Sequence, residues 1–228
     1  MRLVHGVVCA VALALVVPTV SARQAQDEKD RSVAGGGIKA AGWMGRVDAA
    51  SAGKGAKISD SKFVQQGADL VLNIGPAAIY WNPKNVAKGD YTVKATIKNL
   101  KSNAGHPHSA GIFIGGANLE DEANATVTYC VAYTNGGGMV RQLTGPKATT
   151  IFGGNRPANI IPAVHPEGPD GATNEIMWAV KGGVATCSMN GTVIATVEAG
   201  KMPSTDGIYG IRVTHNVDLT VTGLSVGK

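Results

Sequence analysis

His106-Pro107-His108 is the densest grouping of potential metal ligands in the chain, and His165 or His215 are available to complete a site. Zinc requires three or four convergent ligands. Two imidazoles one residue apart on a Pro-stiffened polar loop fall short of that, so the stretch is read as a solvated loop with no metal or cofactor assigned. His215-Asn216 stands between the last two predicted strands, either as a satisfied turn or as a polar contact lining the mouth of the sheet. The acidic run Glu120-Asp121-Glu122 is the nearest approach to a carboxylate pair. Glycoside hydrolysis needs two carboxyl groups held roughly 5–5.5 Å apart for retention, or roughly 6.5–9.5 Å for inversion. This run lies in an Asn- and Gly-rich stretch, which favours a solvated loop over a catalytic or Ca²⁺ role. No Gly-x-Ser-x-Gly elbow, Cys–His nucleophile or phosphate loop is present.

A sugar-binding surface needs aromatic rings for the apolar face of a pyranose and planar polar groups for its hydroxyls. Tyr80, Trp81, Asn82, Tyr129, Tyr133, Arg141, Gln142, Trp178 and Arg212 supply those types. Aromatic residues make up only 5% of the chain, so most are needed in the core, Trp178 first among them. Tyr129, Tyr133 and Arg141 flank one predicted hairpin and are expected to share a sheet face. With His106, Arg212 and His215 they form the expected ligand-binding set; no catalytic residue is assigned.

These side chains depend on a β scaffold. Tyr91 to Lys98 alternates strictly, with Tyr91, Val93, Ala95 and Ile97 inward. Leu70, Leu72 and Ile74 share a face in the preceding segment, and Asn82-Pro83-Lys84-Asn85 reads as a turn. Ala110–Gly116 reads as a buried strand, and Val127, Tyr129, Val131 and Tyr133 alternate along the next. Gly182-Gly183 and Asn190-Gly191 separate short β-rich runs and predict two hairpins. Residues 145–173 hold five prolines and little pattern apart from Thr149–Phe152, and are expected to form a long loop. No segment sustains a helical period. The expected fold class is all-β: an antiparallel two-sheet jelly-roll sandwich.

A basic start, a short apolar run from Leu3 to Val17 and small residues up to Ala22 predict a cleaved signal peptide over residues 1–22, with a membrane anchor as the alternative. A flexible leader is expected over 23–42 and one sandwich domain over 43–228. Export permits a Cys130–Cys187 disulfide, while two buried free thiols fit the residues equally well. The net charge is only +5, and no Lys/Arg cluster is dense enough for a nucleic-acid groove. The predicted location is secreted or periplasmic, with no membrane span after cleavage.

Several stretches resemble concanavalin A-like, laminin-G-like sandwiches, in particular a group of secreted bacterial proteins. They are Gly75–Pro83, Gly89–Thr96, His106-Pro107, Gly111–Gly116, Asn190-Gly191 and Gly207–Asn216. The order of elements is also similar to that of the 3-keto-disaccharide hydrolase domain. The resemblance covers residues from Lys57 to the end and implies the sandwich fold. It carries over no catalytic residue, and the Glu-x-Asp-x-x-Glu strand typical of hydrolases on this sandwich is absent. The expected function is non-catalytic carbohydrate or glycan recognition. The alternatives are a sugar-processing hydrolase of that related type and a structural or adhesive envelope protein.

Overall fold

The computed structural model describes residues 29–228, so the expected signal peptide lies outside the described residues. Two sheets face each other. The larger runs in the order β1 (Gly37–Ile38), β3 (Lys62–Gln66), β4 (Asp69–Asn73), β15 (Val217–Gly227), β6 (Tyr91–Ser102), β11 (Ala172–Lys181), β12 (Val184–Met189) and β13 (Thr192–Val197). The smaller runs β10 (Lys147–Gly153), β9 (Gly138–Thr144), β8 (Thr126–Tyr133), β7 (Ser109–Ala117), β14 (Gly207–Val213), β5 (Ala78–Ala87) and β2 (Met44–Val47). Every pairing is antiparallel except β1 with β3. This is the all-β two-sheet sandwich that the alternation predicts. A short α-helix, α1 (Ala49–Ala52), follows β2 and buries none of its residues.

The main core lies between the sheets. Tyr91, Val93, Ala95 and Ile97 point into it from β6, while Lys94 is exposed. Trp178 is fully buried, and its indole N–H donates across the sandwich to the Ile112 carbonyl at 3.4 Å. Cys130 on β8 and Cys187 on β12 form a disulfide between the two sheets, with Cα atoms 6.5 Å apart. That settles the pairing in favour of the disulfide. The two hairpins close with two-residue loops, Lys181 opposite Val184 and Met189 opposite Thr192. Both loop residues have positive φ in each case, as a type I′ turn requires.

Three expectations need correction. Residues 29–42 are tied to the sandwich. The Arg31 guanidinium donates to the carbonyls of Ile74 and Val217 and pairs with Asp218. Gly37–Ile38 adds a parallel strand to β3. Polar contacts hold most of this segment, and only Ile38 and Ala40 reach the core, too few for a hydrophobic period to betray it. Gly36 permits the close approach: a Cβ there would lie 2.0 Å from the Ser59 carbonyl oxygen. Asn82–Asn85 does not end a strand but stays within β5, where Trp81 pairs with Gly210 and Val86 with Ile208. The resulting bulge absorbs the turn signal, and Asn82 caps it through the Lys84 N–H at 3.0 Å. Finally, the expected 145–173 loop contains β10, which extends the β8–β9 meander. The rest of that segment packs against the Thr134–Gly138 turn and the end of β12, with Val164 buried in the main core.

Candidate functional site

The seven-stranded sheet is apolar on both faces. Alternate residues of β8 enter the main core through Cys130 and Ala132. The others, Val127, Tyr129, Val131 and Tyr133, form a second cluster on the outward face with Trp81 and Phe113. Gly210 lies between Trp81 and Phe113 in the ladder, and a Cβ there would meet the Phe113 ring at 2.7 Å. Its missing side chain lets the ring cross the strand.

Tyr129 stands directly opposite Arg141, and the Arg212 guanidinium lies 5.2 Å from the centre of the Tyr129 ring. Arg212 also grips Asp48 bidentately, with N···O distances of 2.5 and 2.6 Å. Burial works against both charges. For Asp48 it pushes the carboxyl up, but Arg212 outweighs it and holds the carboxyl below its usual range. For Arg212 burial pulls the guanidinium down, while Asp48 and Tyr129 raise it above its ordinary value.

The structure thus places Tyr129, Tyr133, Arg141 and Arg212 close together, but not as an open platform. Tyr129 is 2% exposed, Tyr133 8% and Arg212 6%, too little to stack a sugar ring. The unbroken buried runs of β7 and β8 were the signal for a sheet covered on both faces. The acidic run belongs to the same cover. Leu119 packs into the outward cluster, Arg46 donates to the Leu119 carbonyl at 2.7 Å, and Asp121 caps the turn through Asn124.

The accessible chemistry lies at one end of this sheet, where β2 and β8 finish, β5 and β7 begin and β14 finishes. Two crossovers between the sheets meet there. One leads from β6 to β7 and carries His106 and His108. The other leads from β14 to β15 and carries His215. They are joined by the Asn103 N–H donating to the Asn216 carbonyl at 2.8 Å. Asn216, at φ 52°, makes the tight second crossover and accepts from the Arg31 N–H at 2.9 Å.

The three imidazoles converge. The His108 ring centre is 4.3 Å from those of both His106 and His215, and one nitrogen from each ring falls within a 4.8 Å set. His108 is 3% exposed; its carbonyl accepts from the Thr134 N–H, its own N–H donates to the Thr134 hydroxyl, and its Nε2 is buried without a hydrogen-bond partner. The His215 Nδ1 lies 2.9 Å from the Asp30 carboxylate, off hydrogen-bonding alignment. His165, the other candidate third ligand, is elsewhere: its N–H bonds to Asn174 and its ring to the Thr173 carbonyl. Local spacing does not distinguish His215 from His165 as the third imidazole, because His215 comes from the opposite crossover. Beside His215 opens a cleft of about 560 Å³, whose lining includes Asp30, Ser32, Ser51, Lys54 and Asp60.

Burial pushes the His108 imidazolium down to about 3, helped by the facing His215 and His106. The folded protein therefore keeps His108 neutral at pH values where the unfolded chain, titrating near 6.5, takes up a proton. This contribution to stability is complete above about pH 6.5 and falls away toward pH 3, by a total on the order of 3–5 kcal/mol. Urea unfolding from pH 7 to 4, in the presence of a chelator, is expected to show that decline, and His108→Gln is expected to flatten it. The depressed carboxyls of Asp48 and Asp218 act in a lower window, below their usual 3.8.

No protein-family model matches the chain, and no curated protein matches it. Solved structures do. The carbohydrate-binding module CBM66 from Bacillus subtilis superposes with a TM-score of 0.56 at 7% identity, over 82% of this chain and 96% of that one. The chain shares its fold with a carbohydrate-binding module. The carbohydrate recognition domain of Emp47p superposes with a TM-score of 0.50 at 10% identity, over 86% of this chain and 93% of its own. At such identities the likeness establishes the β-sandwich and transfers no residue role.

Proposed function

We propose that the protein is a secreted or periplasmic carbohydrate-recognition module that binds its glycan in the cleft at the histidine end of the seven-stranded sheet. The observation that carries this reading is the cleft itself, about 560 Å³ in volume and walled by Asp30, Ser32, Ser51, Lys54, Asp60 and His215. Carboxylates accept from sugar hydroxyls, an ammonium donates to them, and serine hydroxyls do both. The volume is within the range of small-molecule sites. The shared fold with a carbohydrate-binding module supports the same reading.

The buried Cys130–Cys187 bond suits an oxidising compartment, and the basic-then-apolar pattern of residues 1–22 supports export. Among the described residues no helix is long and apolar enough to cross a membrane.

A glycan-array screen of the purified chain tests the reading. The expected result is saturable binding to a defined set of oligosaccharides, reproduced by calorimetry in solution and without change to the bound sugar. Absence of binding across the array, or turnover of a bound sugar, would contradict it.

A further inference from the structure

The imidazole cluster carries an inference of its own, independent of whether the adjacent cleft binds a glycan. We propose that His106, His108 and His215 form a three-imidazole site for a borderline divalent transition metal, zinc foremost, with Asp30 as its outer carboxylate. Their candidate ligand nitrogens lie within 4.8 Å of one another, a spread that small ring rotations would close to the roughly 3.4 Å separating tetrahedral ligands on zinc. One imidazole nitrogen in this group, His108 Nε2, is buried with no hydrogen-bond partner, while His215 Nδ1 faces the Asp30 carboxylate. An orphaned buried polar atom is costly, and a bound cation would satisfy His108 Nε2 directly.

The scaffold is also suited to holding the ligands still. The His108 backbone is fixed by bonds to the Thr134 N–H and hydroxyl, and Pro107 limits the chain between the first two ligands. The Ser102 hydroxyl donates to the His106 carbonyl at 3.0 Å, anchoring the loop from its other side. Asp30 places a negative charge 2.9 Å from His215, where it would offset the ion's charge and orient the ring, as outer carboxylates do around metal-bound histidines. The donor set is nitrogen only, which selects zinc, copper, nickel or cobalt over calcium or magnesium. Three protein ligands leave a coordination position for water or an incoming oxygen atom.

The test uses the full chain without an affinity tag, stripped with a chelator and dialysed. Titration with Zn²⁺ against a chromophoric competitor is expected to show one equivalent bound per chain. Co²⁺ loading is expected to give the intense visible bands of a four-coordinate ion. His106→Gln and His215→Gln are each expected to weaken Zn²⁺ binding at least tenfold, Asp30→Asn by about tenfold, and His165→Gln not at all. His106 is only half-buried, so its variant should keep the native thermal unfolding of the stripped protein and separate loss of a ligand from loss of fold. Absence of stoichiometric binding to the stripped native chain would overturn the proposal. So would binding that survives His106→Gln and His215→Gln, or binding that falls equally with His165→Gln.

Discussion

Replacing both Cys130 and Cys187 with alanine is expected to lower the free energy of unfolding by about 4 kcal/mol. The bond closes a loop of 57 residues and joins β8 to β12, strands of opposite sheets. Without it the unfolded chain regains the freedom of that loop, and the chain-entropy relation gives a loss of this size. The native state also loses a packed contact, since both residues are fully buried. Urea unfolding of the double variant against the native protein measures the effect. Because the sulfurs are inaccessible, a mild thiol reductant should leave the native bond intact and cleave it only once the chain is unfolded. A loss below about 1 kcal/mol would mean that the sheets are held together without the bridge.

The second large effect is expected at Arg212. Arg212→Met should destabilise the protein by about 3 kcal/mol, because it leaves Asp48 charged and only about one-third exposed, with its bidentate partner gone. The lost contact with the Tyr129 ring adds to this. Asp48→Asn should cost a similar amount, since it leaves the buried guanidinium uncompensated. Arg212→Met combined with Asp48→Leu should recover much of the loss, as replacing a buried pair by apolar groups is often near neutral. A double-mutant cycle read by chemical denaturation checks this. Single variants within about 0.5 kcal/mol of the native protein would show the pair to be no more than a surface contact. The outcome bears on function: an expensive Arg212 is a pillar of the outward cluster, and its loss is then no measure of ligand binding.

The scaffold was largely legible before the structure. Strict alternation in Tyr91–Lys98 exposed one face of a strand, and Gly182-Gly183 and Asn190-Gly191 named their hairpins because only residues tolerant of positive φ fit those turns. The segment at residues 29–42 was not legible. It adds little apolar surface and is held by Arg31, Asn216 and backbone carbonyls, contacts that leave no period in the sequence. The candidate site was half legible. Alternation along one hairpin places Tyr129, Tyr133 and Arg141 near one another, but whether such a face is open or sealed depends on how strongly apolar both faces of the sheet are. The sequence offers His215 beside His165 as a residue that could join His106 and His108, with nothing in the spacing to choose between them. The convergence of His106 and His215 on His108 depends on two crossovers ending at the same corner, a property of topology to which local spacing is blind. The Ser32, Ser51, Lys54 and Asp60 wall carries no motif at all.

Glycan binding in the cleft is the central claim, and a steric block tests it most directly. Ala50 lines the cleft, is exposed, and belongs to a helix that buries nothing, so Ala50→Trp fills the space without disturbing the core. Calorimetric titration of native and Ala50→Trp proteins with the strongest array ligand should show binding in the first and at least a tenfold weaker affinity in the second, at equal thermal stability. Unchanged affinity in Ala50→Trp, with binding instead lost when Asn118→Trp blocks the smaller cleft beside Trp81, would contradict the assignment.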